Sequence, residues 1–309
     1  MLNANIRKFT SCGDKEADML LEKVLSGLKE TLSGTGLCVV LGGSYGRGEG
    51  GVRSDRDNGI LYNDLDFFVF ADKKDRNAGK ILEAVAEKYE QELQVDIDFS
   101  QPFSISGIKR NAGRLMFQEL KRGYHLVCGN DFLAEYLPEI PAEKISFSEA
   151  CRLMLNRGMG LLLAAEKIAE NSGETDFILR NINKAILGAC DAVLLAGGTY
   201  CWRIKERENA VMELPVPEEW KKLYTYAVKF KESPCRDIPH NIQTLWLAVR
   251  DMFLGCMNIV CGEELKNICT LCRRSREVSF INFIRYCVKT GTFPVWKIKK
   301  YYCLSKTCM

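Results

Sequence analysis

Histidine is scarce in this chain: His125 and His240 are the only two among 309 residues, and neither stands at ligand spacing. A zinc site would have to draw on Cys256, Cys261, Cys269 and Cys272, of which only the last two form a C-x-x-C pair. Helix-buried thiols are the plainer reading. No thioredoxin-like strand precedes that pair, which argues against a redox motif. Long apolar runs are also missing, since no uncharged stretch approaches the length needed to cross a bilayer. The opening "MLNANIRKFTSCGDKEADML" has no basic start followed by an apolar core. These absences exclude a membrane partner and lead us to expect a cytoplasmic protein. The fourteen cysteines are therefore expected as reduced thiols, mostly buried. There is no internal repeat and no low-complexity segment.

What is present describes an ordinary soluble globular protein, 47% hydrophobic and 27% charged. The length suits two domains. The net charge of +3 is unevenly spread: Lys266 to Met309 holds ten Lys/Arg against the single acid Glu277. The tail segment "FPVWKIKKYYCLSK" interleaves aromatics with lysines, a pattern that can stack on single-stranded nucleic acid. We prefer an amphipathic helix that packs its aromatics and shows its lysines to water.

Helical spacing over 14–33 is followed by a short buried strand, "TGLCVVLGG", ending in glycine. "DLDFFVFA" predicts a second strand, "DRNAGKILEAVAEKYEQEL" a helix, and "QVDIDFS" a third strand. From about residue 146 the periodicity is helical throughout. "SFSE", with Ser146 and Glu149 at capping-box spacing, opens a helix. Further helices are predicted over 176–196, stopped by Gly197 and Gly198, then over 217–232 and 239–261. The fold class is thus α+β: a small mixed sheet flanked by helices over 1–140, then an all-α region over 141–309, with the boundary near "YLPEIPAEK".

The chemistry concentrates in "CVVLGGSYGRGEGG", residues 38 to 51. Such a run of glycines serves a backbone that bends sharply or approaches something closely. A P-loop needs a Gly-Lys-Ser/Thr ending, which Gly46-Arg47-Gly48-Glu49-Gly50 lacks. Gly46, Gly48 and Gly51 satisfy G-x-G-x-x-G, but the dinucleotide motif continues into an apolar helix, and "VRSDRDNGILYND" is polar and turn-rich. Asp64 and Asp66 stand two apart in a strand and so project from one face. Two like charges side by side are costly unless cations neutralise them. Asp96 and Asp98 repeat the arrangement on the next strand. Hard divalent cations prefer carboxylate oxygens and leave coordination open for substrate phosphates. Two ions held by such a set stabilise the attacking and leaving oxygens of a phosphoryl or nucleotidyl displacement.

"LGGSYGRGEGG…YNDLDFFVF…VDIDF" resembles the nucleotidyltransferase superfamily of DNA polymerase beta, and "GGSYGRGE" is similar to a stretch of bacterial enzymes that uridylylate or adenylylate proteins. The resemblance covers roughly residues 36 to 100. It implies that Gly42, Gly43 and Ser44 form the phosphate-binding turn and that Asp64 and Asp66 are metal ligands. Asp96 or Asp98 would be the third carboxylate, Asp96 slightly preferred, helping to deprotonate the acceptor. It further implies an NTP substrate, two Mg2+ ions with Mn2+ as an alternative, and release of pyrophosphate. The spacer from Ser44 to Asp64 is longer than is usual there, and "VRSDRDNGILY" reads as an inserted hairpin with Asp57-Asn58-Gly59 at its tip.

Arg47 reads either as a phosphate contact or as a pair with Glu49. Lys184 and Asp191, seven apart on one side of a helix, would contact triphosphate and acceptor respectively, with a structural ion-pair network as the preferred alternative. The expected function is transfer of a nucleoside monophosphate from an NTP to an acceptor: a small molecule, a protein or an RNA. The alternatives are a non-catalytic, antitoxin-like nucleotide-binding module and a two-metal phosphohydrolase.

Overall fold

The computed structural model of the chain describes residues 8–54, 60–72, 78–235 and 241–262. The expected hairpin tip at Asp57-Asn58-Gly59, the pair Cys269 and Cys272, and the basic tail all lie outside the described residues. The chain divides into two compact units. The first comprises Met1–Lys144, Trp202–Glu206 and Val228–Asp237, and the second comprises Ile145–Cys201, Arg207–Ala227 and Ile238–Met309.

The first unit opens with α1 (Lys15–Leu32), whose N-terminus is capped by the Asp14 carboxylate accepting from the Ala17 amide at 2.9 Å. Leu21, Val24, Leu28 and Leu32 recur at helical spacing and are buried. Then follow β1 (Cys38–Leu41), a single helical turn α2 (Gly43–Gly46), β2 (Leu65–Phe70), α3 (Ala78–Leu93) and β3 (Ile97–Phe99). The remaining elements are α4 (Ile105–Asn111), α5 (Leu115–Lys121), β4 (His125–Cys128) and α6 (Phe132–Tyr136). The four strands form one mixed sheet in the order β3-β2-β1-β4. β1 pairs antiparallel with both neighbours, while β2 and β3 are parallel, as the α3 crossover between them requires.

The strand period of two assigns the faces. Leu65, Phe67 and Val69 join α1 and α3 in one core, and Phe70 joins Val40 and residues of α4, α5 and α6 in a second, with Phe68 packed against it. The sheet is therefore covered on both sides. Asp66 falls on the face of Phe68 and Phe70, one step beyond the last apolar residue of that layer.

The second unit is helical among its described residues, with α7 (Phe147–Ala169), α8 (Thr175–Ala196), parts of α9 (Ile204–Met212) and α10 (Glu218–Glu232), and α11 (Ile242–Cys261). Ser146 caps α7 by accepting from the Ser148 amide at 3.3 Å. The Glu149 carboxylate, instead of closing the capping box, is taken by the Arg152 guanidinium one turn on. α8 ends as the glycines predict, with Gly197 as its cap and Gly198 at φ +71°. α7 and α8 approach closely because Gly188 leaves room for the Arg157 side chain. Asp191, buried on α8, accepts from the Tyr224 hydroxyl at 2.8 Å and lies 3.3 Å from Arg207 Nε. Arg207 also donates to the Tyr200 hydroxyl at 2.9 Å and to the Cys201 carbonyl at 3.0 Å. Burial and the neighbouring Asp191 charge push the Tyr224 hydroxyl well above its ordinary pKa, so it stays a donor. Every cysteine whose side chain is described is a free thiol. Among the described residues no helix is long and apolar enough to cross a membrane.

Removing Asp191 would take a charge partner from the buried Arg207. We expect Asp191→Ala to lower unfolding free energy by about 3–5 kcal/mol, and Tyr224→Phe by roughly 1–3 kcal/mol, both measured by urea denaturation.

Candidate active site

The site is built where β1 ends against β2. Strand β1 pairs Leu41 with Phe67, and the next amide, Gly42 N–H, donates to the Asp66 carbonyl at 2.8 Å. Gly42 has no room for a side chain, because a Cβ would lie 2.7 Å from both Phe68 and Leu120. At Gly43 the backbone turns into φ +60°, the left-handed region that glycine enters without penalty. A Cβ there would overlap the Asp66 carboxylate oxygen Oδ2. The glycine thus does two things: it makes the turn, and it lets a carboxylate rest directly against the main chain. Ser44 follows in the helical turn, half-buried, with its carbonyl accepting from the Glu49 amide at 2.8 Å.

Asp66 is the second residue of β2, and Asp64 stands one residue before the strand. The parallel register sets Asp98 directly beside Asp66, with Leu65 opposite Ile97 on the other face. Asp96 lies one residue before β3 on the same side as Asp98, is exposed, and gives its carbonyl to the Leu65 amide at 2.9 Å. The structure thus sets Gly42, Gly43, Asp66 and Asp98 together at one end of β2, with Ser44 next in the turn. Lys184 lies on α8 in the second unit, half-buried.

A divalent ion is the group this resemblance implies, and two observations bear on the fit. Asp66 and Asp98 are hard oxygen donors in register, and Gly43 leaves a cradle at Asp66 that any other side chain would fill. Among the described residues no group of three or more His, Cys, Asp or Glu side chains is placed to hold a metal ion, so the four strand acids do not come together as the cage the sequence suggests. Magnesium does not require one, because it is usually held by one or two carboxylates and completes its shell with waters and substrate phosphates. The residues fit an open magnesium site.

Sequence reasoning missed the residue that fixes the loop. Tyr45, 1% exposed, donates its hydroxyl to the Gly51 carbonyl at 2.8 Å and accepts from the amides of Tyr62 at 3.1 Å and Asn63 at 3.3 Å. Asn63 Oδ1 accepts from Gly51 N–H at 2.8 Å. The Tyr45 ring lies where a Cβ on Gly50 would be, which explains that glycine. Burial raises the Tyr45 pKa and keeps it protonated. Val52 bridges Leu61 antiparallel, and the Tyr45 hydroxyl holds the amide of Asn63, the residue before Asp64. An aromatic residue amid glycines was the available signal. Arg47 is held in the protein, its Nε 3.4 Å from Glu49 Oε2 and its Nη1 3.5 Å from Glu119 Oε2.

A sharply turned glycine loop beside strand carboxylates is the arrangement that the sequence resemblance leads one to look for. Residues 3–98, about a third of the chain, match the family described as "Putative nucleotidyltransferase DUF294". No curated protein matches the chain. Among solved structures it is similar to the spectinomycin adenyltransferase AAD(9) of Enterococcus faecialis, crystallised with ATP and spectinomycin. That likeness has a TM-score of 0.46 and 18% identity, covering 78% of this chain and 98% of that one.

Gly43→Ala should push the Asp66 carboxylate from its place and force a side chain into the left-handed region, at roughly 1–2 kcal/mol. We expect a small fall in denaturation midpoint with a much larger loss of magnesium-dependent nucleotide binding, read by calorimetric titration. Tyr45→Phe leaves the Tyr62 and Asn63 amides without their acceptor and should cost about 1–3 kcal/mol by urea denaturation.

Proposed function

We propose that the chain transfers a nucleoside monophosphate from an NTP to an acceptor hydroxyl and releases pyrophosphate, with magnesium as cofactor. The observation that carries this reading is the Asp66 carboxylate seated against the Gly43 backbone with Asp98 in register beside it. Asp64 and Asp66 would hold the cation. When bound, magnesium neutralises phosphate charge as it develops at the α-phosphorus. Ser44 and the turn that follows Gly43 orient the triphosphate. The acceptor oxygen attacks the α-phosphorus, the bond from that phosphorus to the β-bridging oxygen breaks, and pyrophosphate leaves with the electron pair.

The acceptor proton passes to a carboxylate, which we assign to Asp98 over Asp96. Asp98 is level with Asp66, the carboxylate seated against Gly43, whereas Asp96 is level with Asp64 and a full side-chain repeat further from that glycine. Reading the acceptor as a small molecule, a protein or an RNA is left to experiment, because the chemistry at the α-phosphorus is common to all three.

The test is incubation of the full chain with each α-labelled NTP, magnesium and cell extract, followed by identification of what becomes labelled. We expect one labelled class of acceptor, and at least about a 100-fold loss of label with Asp66→Asn. Label transfer by Asp66→Asn equal to that of the unaltered chain would refute the assignment. Release of free monophosphate in place of a labelled acceptor would point to a phosphohydrolase.

A further inference from the structure

Glu49 stands between two glycines in a polar loop, where a solvated side chain is the ordinary outcome, yet it is only 5% exposed. Its Oε1 accepts from the Ile204 amide, the first residue of α9, at 2.8 Å. Its Oε2 accepts from Lys231 Nζ at 3.1 Å and lies 3.4 Å from Arg47 Nε. The same short segment is tied at its other end and along its backbone. The Glu49 amide donates to the Ser44 carbonyl at 2.8 Å, and the Arg47 carbonyl accepts from Arg203 Nη1 at 2.8 Å. All of these groups belong to the first unit. A buried carboxylate is tolerated only when its charge and lone pairs are answered. Here two cations and an amide answer them from three separate stretches of chain. A loop so rich in glycine has many conformations open to it, and this convergence selects one.

We propose that Glu49 is a positioning residue for nucleotide binding: held by Lys231, Arg47 and the Ile204 amide, its carboxylate sets the curvature of residues 43–49, and so the placement of Ser44 and the Gly43 backbone towards the phosphates. The proposal rests on the nucleotidyltransferase reading above. In it Arg47 is a brace of the turn. Glu49→Gln keeps an acceptor for the Ile204 amide and removes the charge that Lys231 and Arg47 answer. Lys231→Gln weakens the same contact from the other side and guards against a first variant that does not fold.

The experiment measures three quantities on the full chain and both variants: melting temperature without nucleotide, affinity for fluorescent mant-labelled NTPs with magnesium, and KM and kcat for label transfer with cell extract. We expect both variants to remain folded and to bind nucleotide about tenfold or more weakly, with KM raised to match and kcat within about twofold. The double variant should be no worse than either single one, because both act through one contact. Unchanged affinity in a folded variant overturns the proposal, as does a fall in kcat with KM unchanged, or losses that add in the double variant. If the unaltered chain binds nucleotide but both variants bind equally well, only this inference fails. If the unaltered chain binds no NTP at all, the functional reading fails and this inference with it.

Discussion

A carboxylate oxygen packed against a main-chain Cα is the constraint from which the site follows. Asp66 occupies the space that a Cβ on residue 43 would need, and the chain at that point must enter the left-handed region to begin the α2 turn. Glycine is the residue that meets both demands. The antiparallel pairing of β1 with β2 brings Gly42 to the Asp66 carbonyl, so the turn starts at a fixed height on the sheet. The parallel pairing of β2 with β3 then puts Asp98 at the same height. Three strands and one glycine thereby determine where acidic oxygens meet a backbone turn, and the two cores on either side of the sheet hold them there.

The glycine-rich segment that starts with the α2 turn is held by side chains from within and from outside it. Tyr45 anchors it from within, its hydroxyl serving two amides and a carbonyl. Glu49 anchors it from outside, through residues more than 150 positions later in the sequence. The segments Trp202–Glu206 and Val228–Asp237 are consequently part of the first compact unit, although they follow α8 in the chain. Ser54 Oγ donating to the Pro234 carbonyl at 3.0 Å and Tyr62 packing edge-on against Phe230 extend the same junction to Ser54 and Tyr62.

Much of this was legible in the residues because it is local. The helices α1, α3, α7, α8, α10 and α11 follow from apolar spacing, and their ends from Asp14, Ser146 and Gly197. The strands that carry Asp66 and Asp98 follow from their apolar runs, although Asp64 and Asp96 fall one residue before them. What escaped was short or non-local. β4, four residues long, and the short helices α4, α5 and α6 carry too few residues for a period to show. The roles of Tyr45 and Glu49 depend on partners at Tyr62, Asn63, Ile204 and Lys231, and nothing in the loop's own sequence names them. That Asp98 pairs with Asp66 likewise needed the strand register, which only pairing reveals. The capping box at Ser146 and Glu149 had the right spacing, but the Arg152 guanidinium one turn on took the carboxylate instead.

The central claim is that the oxygens beside Gly43 hold a hard cation against a nucleotide's phosphates. It is tested most directly by anomalous diffraction from crystals of the full chain grown with manganese and a non-hydrolysable NTP analogue. The account predicts a manganese peak coordinated by Asp64, Asp66 and phosphate oxygens, with the triphosphate lying over Gly43 and Ser44. A nucleotide bound elsewhere, or manganese bound away from these carboxylates, would contradict it.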